Sequence, residues 1–387
     1  MIIFIFSAIL CIYLIARLIW PLGNSLKARL AASFALLLIS QYHNLFRLFS
    51  GTLASPELPT SLIMLCGWLY VSFLLAATFC LLRDIGIFIS FLLRKAGLLT
   101  GSPLKSKRIL AAVCILSPVL SGIGLFGAVR IPDIVHLEIQ LAGLPREFDG
   151  LRIVQLSDIH ASSLLGQDWV AQVVDRTNAL KPDLIVITGD MADGQIKDRE
   201  ADIAPLAELS APLGVYAVNG NHEYYSDYAG WMDKFPKLNL EMLHNAHKVI
   251  ARNGAELVLA GVTDPAAAAF GLPGPDIEQA LLGAPAKAPI ILLAHQPSDA
   301  AKNAAAGVSL QLSGHTHGGQ IIGLQHTLIK WVNKGFISGL YQIGGMQLYI
   351  SKGTGLWSGH PVRIGVPSEI TEITLRSKQP SDDISEQ

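Results

Sequence analysis

Leu184-Ile-Val-Ile-Thr188 runs without a break into Gly189-Asp190, and its residues are apolar or β-branched on both parities. A strand with one wet face alternates apolar and polar residues. One buried on both faces does not, and parallel strands covered by helices are of that second kind. Ile290-Ile-Leu-Leu-Ala294 repeats the pattern and runs into His295. Outward from these two, short β-rich runs bounded by turn residues recur at Val135–Leu141, Leu151–Leu156, Val215–Asn219, Glu256–Val262, Val308–Leu312, Gln347–Ser351 and Glu369–Leu375. Helix-like stretches at Asp168–Leu180, Arg199–Ser210 and Pro275–Leu282 fall between several of them. This alternation predicts an α/β layered domain.

The first third of the chain is unlike that. Overall the 387 residues are 51% apolar and 15% charged, where about 25% charged is usual. Such a composition excludes a disordered chain, a collagen-like repeat and a nucleic-acid binder built on a basic surface. The formal net charge of −1 hides a split. Residues 1–130 carry 11 Lys/Arg against two acids, Glu57 and Asp84, whereas 131–387 carry 18 against 28. The expected organisation is a transmembrane helical domain over 1–130, a soluble domain over 131–377 and a polar tail over 378–387.

A bilayer core of about 30 Å needs roughly 20 mostly apolar residues as a helix. Met1–Trp20, Thr60–Leu82 and Ile109–Val129 qualify, and Ala28–Leu48 does so more weakly because Gln41, His43, Asn44 and Arg47 crowd its end. About four spans are expected, with Ile85–Leu93 too short to cross. Met1–Trp20 lacks a basic n-region and is followed by further spans, so it does not read as a cleaved signal peptide. The linker before the last span holds Arg83, Arg94, Lys95, Lys105, Lys107 and Arg108. Positive-inside logic puts it in the cytoplasm and sends everything after Arg130 outward. The expectation is a multi-pass plasma (inner) membrane protein with an extracytoplasmic soluble domain. Cys11, Cys66, Cys80 and Cys114 all lie in the apolar front, which excludes cysteine nucleophiles and cysteine zinc sites behind it.

Five strands end in polar, metal-capable groups: Ser157-Asp158-Ile159-His160, Gly189-Asp190, Gly220-Asn221-His222-Glu223, His295 and Ser313-Gly314-His315-Thr316-His317-Gly318-Gly319. Open α/β sheets bind ligands beyond the carboxyl ends of their strands. Two carboxylates, one amide and four imidazoles (His160, His295, His315, His317) exceed the needs of one tetrahedral ion and suit two borderline metals bridged by one Asp. In Asp-X-His and His-X-His an extended backbone would point both side chains to the same face. Two metals about 4 Å apart clamp the attacking and leaving oxygens of an in-line phosphoryl displacement and supply a bridging hydroxide.

Taken together, Asp158-X-His160, Gly189-Asp190, Gly220-Asn221-His222-Glu223, His295 and Gly314-His315-X-His317 resemble the calcineurin-like metallophosphoesterase superfamily, over roughly residues 135–377. The form Ser-Asp-Ile-His, Gly-Asn-His-Glu-Tyr and Gly-His-Thr-His-Gly-Gly-Gln is most similar to its bacterial YkuE-type, membrane-attached branch. One departure is Ala161, where the superfamily's commonest first motif has glycine. The resemblance implies an α/β sandwich of two β-sheets flanked by helices. It implies that Asp158, His160 and His317 hold one divalent metal, that Asn221, His295 and His315 hold the other, and that Asp190 bridges. His222 would be catalytic, protonating the leaving oxygen or stabilising the transition state. Manganese, iron and zinc all occur in the family, and these ligands select none of them.

Glu223 reads as an orienting group rather than a base. Tyr224, Tyr225 and Trp357 are candidates for the substrate mouth or for ordinary packing, and His136, His244, His247, His326 and His360 for structural or surface roles. The leading function is a membrane-anchored hydrolase of a phosphodiester or pyrophosphate, acting on an envelope or lipid-linked phosphoester. No nucleic-acid or protein partner is inferred. The alternative is a membrane sensor or scaffold whose dimetal domain binds a phosphorylated ligand without cleaving it. A transporter fits less well, because no span carries an acidic residue.

Overall fold

The computed structural model describes residues 2–22, 25–50, 55–100, 107–323 and 328–377. The expected tail over 378–387, Lys105 and His326 lie outside the described residues. The chain divides into two compact units, Met1–Gly127 with Gly359–Val362, and Ala128–Ser358 with Arg363–Gln387. No sequence signal pointed to the inclusion of Gly359–Val362 in the first.

The first unit is helical. Helix α1 (Ile2–Leu14) continues through a π-helical turn, Ile15–Ile19, to Leu22. Helices α2 (Leu26–Ser40), α3 (Tyr42–Ser50), α4 (Thr60–Lys95) and α5 (Lys107–Val129) follow. Ile5, Phe6, Ile9 and Ile12 are exposed, whereas Ser7 and Tyr70 share a buried hydroxyl hydrogen bond of 2.9 Å. Apolar outside and polar inside is the pattern of helices that face lipid. Among the described residues, three helices are long and apolar enough to cross a membrane: Ile5–Leu22, α4 and α5. The span expected at Ala28–Leu48 is divided at Gln41 into α2 and α3. Fifteen residues of α2 rise only about 22 Å. His43, one of the polar residues that crowd the end of that stretch, is buried, its ring 4.6 Å from that of Tyr70. Ile85–Leu93, too short to cross alone, is the continuation of the 36-residue α4.

The second unit is built on two six-stranded sheets. One runs β1 (Asp133–Leu141), β12 (Glu369–Ser377), β2 (Arg152–Leu156), β3 (Leu184–Thr188), β4 (Val215–Val218), β5 (Glu241–Met242). The other runs β10 (Gly339–Ile343), β11 (Met346–Ile350), β9 (Leu310–Ser313), β8 (Ile290–Leu293), β7 (Ala255–Gly261), β6 (Ala246–Arg252). The strands β2, β3, β4 and β5 are mutually parallel, as are β7, β8, β9 and β11. Ile153, Val186, Leu259, Leu293, Leu312 and Ile373 are fully buried in one apolar cluster drawn from both sheets. Outside it, the helix α6 (Gln167–Ala179) buries Trp169, Val170, Val173, Val174 and Thr177, a stripe at helical spacing.

The fold is thus the expected two-sheet α/β sandwich with flanking helices. The strands without an expected counterpart, β5, β6 and β10, are all sheet edges. Ala246–Arg252 carries His247, Lys248 and Arg252, and Gly339–Ile343 is half-buried along its length. A strand at an edge carries polar side chains and loses the apolar run that marked the central strands.

Candidate active site

The central parallel strands set the site. Leu156, Thr188, Val218, Leu293 and Ser313 end β2, β3, β4, β8 and β9, and the polar motifs begin within the next few residues. What turns the side chains inward is not the extended backbone expected for Asp-X-His and His-X-His. Asp158, His160, Asp190, His315 and His317 all sit at positive φ, between 48° and 70°. In that left-handed region each strand end folds back over the sheet instead of running past it. Only glycine adopts it freely. Hydrogen bonds from Asp158 N to Gly189 O and from His160 N to Asp190 O, both 3.0 Å, hold the first two loops in place.

All eight expected residues converge. Asp158, His160 and His317 form one group whose donor atoms lie within 4.8 Å of one another, and Asp190, His295 and His315 form a second. His160 Nε2 is 3.1 Å from His317 Nε2, and His295 Nε2 is 3.3 Å from His315 Nδ1. Asn221 Oδ1 lies 3.1 Å from His295 Nε2. Asp190 Oδ2 stands 3.1 Å from His295 Nε2 and 3.7 Å from His160 Nε2, between the groups. His295 Nδ1 donates to the Thr188 carbonyl at 2.7 Å, and His160 Nδ1 lies 2.8 Å from Asp193 Oδ1. With those protons on Nδ1, the Nε2 lone pairs of both rings point inward. Inward lone pairs facing one another beside carboxylates fit cations, so the donor set suits two metal ions.

His222 stands beside the first group, its ring centroid 4.5 Å from that of His160. Its Nδ1 lies 2.6 Å from Asp193 Oδ1, and its backbone N–H donates to Asp190 Oδ1 at 2.8 Å. Asp193 therefore holds both His160 and His222 through one oxygen. Sequence reasoning missed it; the available signal was a second carboxylate three positions after Asp190. Glu223 accepts from the backbone N–H groups of Met191 and Gly220, both at 2.7 Å, and of Asp190 and Ala192 at 3.2 and 3.4 Å. It locks the loop after β3 to the loop after β4.

Arg363 was also missed. It is buried, and its Nη2 donates to Gly355 O at 2.7 Å and Lys352 O at 2.8 Å while Nη1 donates to His317 O at 3.4 Å. An arginine far from any motif gave no sequence signal. Tyr224 is packing, stacked on Tyr228 at 4.3 Å, whereas Tyr225 is exposed with its ring 5.3 Å from His222, and Trp357 lies 6.3 Å from it. His136 pairs with Glu372, and His247 Nδ1 bonds Ala280 O at 2.7 Å, both away from the site.

Burial opposes every charge here, and neighbours decide the outcome. Burial raises the Asp190 carboxyl, but the imidazoles of His295, His222 and His160 pull it well below the ordinary carboxylate range. Burial works the same way on Asp193, and His160 with His222 brings it down to about 2. For His222 burial disfavours the imidazolium, yet Asp190 and Asp193 push it up to about 9. Glu223 goes the other way, raised to about 7 by burial and by Asp190.

Residues 151–319 match the family described as calcineurin-like phosphoesterase. A Bacillus subtilis metallophosphoesterase, YkuE, is 33% identical over 240 residues, covering 60% of this chain and 82% of that one. This chain belongs to the calcineurin-like phosphoesterase family. Members named transmembrane protein with metallophosphoesterase domain are 40% identical over 272 residues in Danio rerio and 37% over 298 in Bos taurus. They cover 68% and 73% of this chain, which in turn spans 61% and 66% of their length. The expected superfamily therefore stands, with YkuE among the relatives. The calcineurin-like domain, at 151–319, takes in the five motif-bearing strand ends from Asp158 to His317.

Proposed function

We propose that this protein is a membrane-anchored dimetal phosphoesterase that hydrolyses a phosphodiester or pyrophosphate bond in an envelope or lipid-linked substrate. The observation that carries the reading is the pair of donor groups with Asp190 between them. Asp158, His160 and His317 would hold one divalent ion and Asn221, His295 and His315 the other, with Asp190 shared between them. Such a pair supplies an activated water and neutralises phosphoryl charge.

The chain's own residues do the rest. His295 and His160 are fixed as inward-facing ligands by Thr188 O and Asp193. His222, held at Nδ1 by Asp193, keeps its Nε2 as the proton donor for the leaving alkoxide. Support for an apolar substrate portion comes from two exposed aromatics, Tyr225, whose ring is 5.3 Å from that of His222, and Phe270, 6.2 Å from Tyr225. The basic stretch from Arg83 to Arg108 supports a multi-pass plasma-membrane topology with the catalytic unit extracytoplasmic.

The test uses the full chain in detergent, loaded with manganese, and a chromogenic phosphodiester. Turnover should fall to background in Asp190→Asn. In His222→Ala it should fall on the order of 10²–10⁴-fold with two metals still bound. Loss of both metals from His222→Ala would overturn its assigned role. Two bound metals without turnover of either phosphodiester or pyrophosphate, in the unmutated chain, would leave a ligand-binding scaffold as the better reading.

A further inference from the structure

The helical unit contains a cavity of about 680 Å³ whose wall includes Arg17, Arg83, Arg94 and Lys107. The single carboxylate in that wall is Asp84. Its two oxygens lie 2.8 Å from Arg17 Nε and 3.1 Å from Arg83 Nη1, and Tyr13 Oη donates to it at 2.9 Å. Among the described residues, the lining thus carries four cationic side chains and one carboxylate. Four cationic side chains gathered along one lining create a positive potential that attracts an anion.

The rest of the lining is largely apolar. Ile87, Phe88, Phe91 and Leu110 belong to it, and Phe88 and Phe91 are 60% and 57% exposed. A cavity half cationic and half greasy matches an amphiphile rather than a free inorganic ion. Its depth agrees. Thr60–Leu82 of α4 rises about 34 Å, enough to cross the hydrocarbon core, so Arg83 and the turns after it fall at the level of the lipid headgroups. Arg17 is carried on the π-helical turn Ile15–Ile19, a deformation that tends to mark functional positions in helices.

We propose that this cavity binds an anionic phospholipid, its phosphate among Arg17, Arg83, Arg94 and Lys107 and its proximal acyl chain against Phe88 and Phe91. Basic pockets between membrane helices recognise lipid headgroups in this way. The site is built of helical-unit residues alone and does not depend on the chemistry of the strand-end site.

The full chain would be delipidated in detergent, given equal phosphatidylglycerol and phosphatidylcholine, and weighed by native mass spectrometry. The unmutated protein should retain one phosphatidylglycerol about tenfold over phosphatidylcholine, and the double variant Arg94→Gln, Lys107→Gln should bring the two to parity. Parity in the unmutated protein, or an unchanged preference in the variant, overturns the proposal. Displacement of the lipid by millimolar inorganic phosphate overturns the acyl half of it. Because the double variant could misfold, a second arm uses only unmutated protein and a phosphatidylglycerol with a diazirine on its acyl chain. Crosslinks should fall on the peptide bearing Ile87, Phe88 and Phe91, and crosslinks confined to other helices overturn the assignment.

Discussion

Five of the seven proposed metal ligands sit at positive φ, a conformation that costs a non-glycine residue about 1–3 kcal/mol. Five such residues together rival the net stability of a typical domain, about 5–15 kcal/mol. They persist only because neighbours over-determine them, and at Asp190 and His160 two buried carboxylates supply that hold. Glu223 gathers four backbone N–H groups, and Asp193 fixes two imidazoles. Asp193 should therefore be felt in two measurements at once. Asp193→Asn keeps the shape but loses the charge, and is expected to weaken metal binding about 10–100-fold through His160. At saturating metal the kcat should still fall, through His222, while KM changes little. A loss of turnover fully restored by excess metal would leave Asp193 with no hold on His222. The ligand types were legible in the sequence because strand ends announce them. The supporting Asp193 was not, since a carboxylate in a loop after a strand resembles any turn residue.

At the scale of elements, the site is an arrangement of strand-end loops pressed against one another. The loop after β11 passes so close to the loop after β2 that a Cβ added at Gly355 would stand 2.0 Å from the Ile159 carbonyl oxygen. Gly355 N–H donates to Asp158 O at 2.9 Å, and Arg363 clamps Gly355 from the other side. Gly355→Ala must push these backbones apart, and neither can flex as a side chain would. A cost of about 1–3 kcal/mol should appear as a Tm lower by roughly 2–12 °C, with reduced metal content because Asp158 moves. At Gly274 a Cβ meets nothing within 4 Å, so Gly274→Ala is the control, and equal Tm values for the two variants would sink the argument. The same scale explains what the sequence concealed. Central strands such as Leu184–Thr188 were readable because burial on both faces leaves only apolar residues. Edge strands β5, β6 and β10 were not, and neither was the division of Ala28–Leu48, which rests on the turn at Gln41 rather than on hydropathy.

At the scale of the whole molecule, the proposed sidedness rests on the charge split. In the proposed topology the basic stretch Arg83–Arg108 is cytoplasmic and residues after Arg130 are extracytoplasmic. The cysteine distribution makes this directly measurable. The four cysteines lie in the helical unit, with Cys11 and Cys80 buried, and residues 131–387 contain none. Cys114 is exposed, but it lies on the apolar helix α5, a candidate span that a membrane-impermeant reagent is not expected to reach. A single cysteine placed at Leu282, 72% exposed in the catalytic unit, is then the one water-facing thiol outside the helices. Leu282→Cys should react with a membrane-impermeant maleimide on intact cells, after removal of any outer membrane, as fast as it does in detergent. The unmutated chain should stay unlabelled in cells. Labelling of Leu282→Cys only after lysis would put the catalytic unit in the cytoplasm. The envelope substrate would then give way to one presented at the inner leaflet, with the dimetal chemistry unchanged.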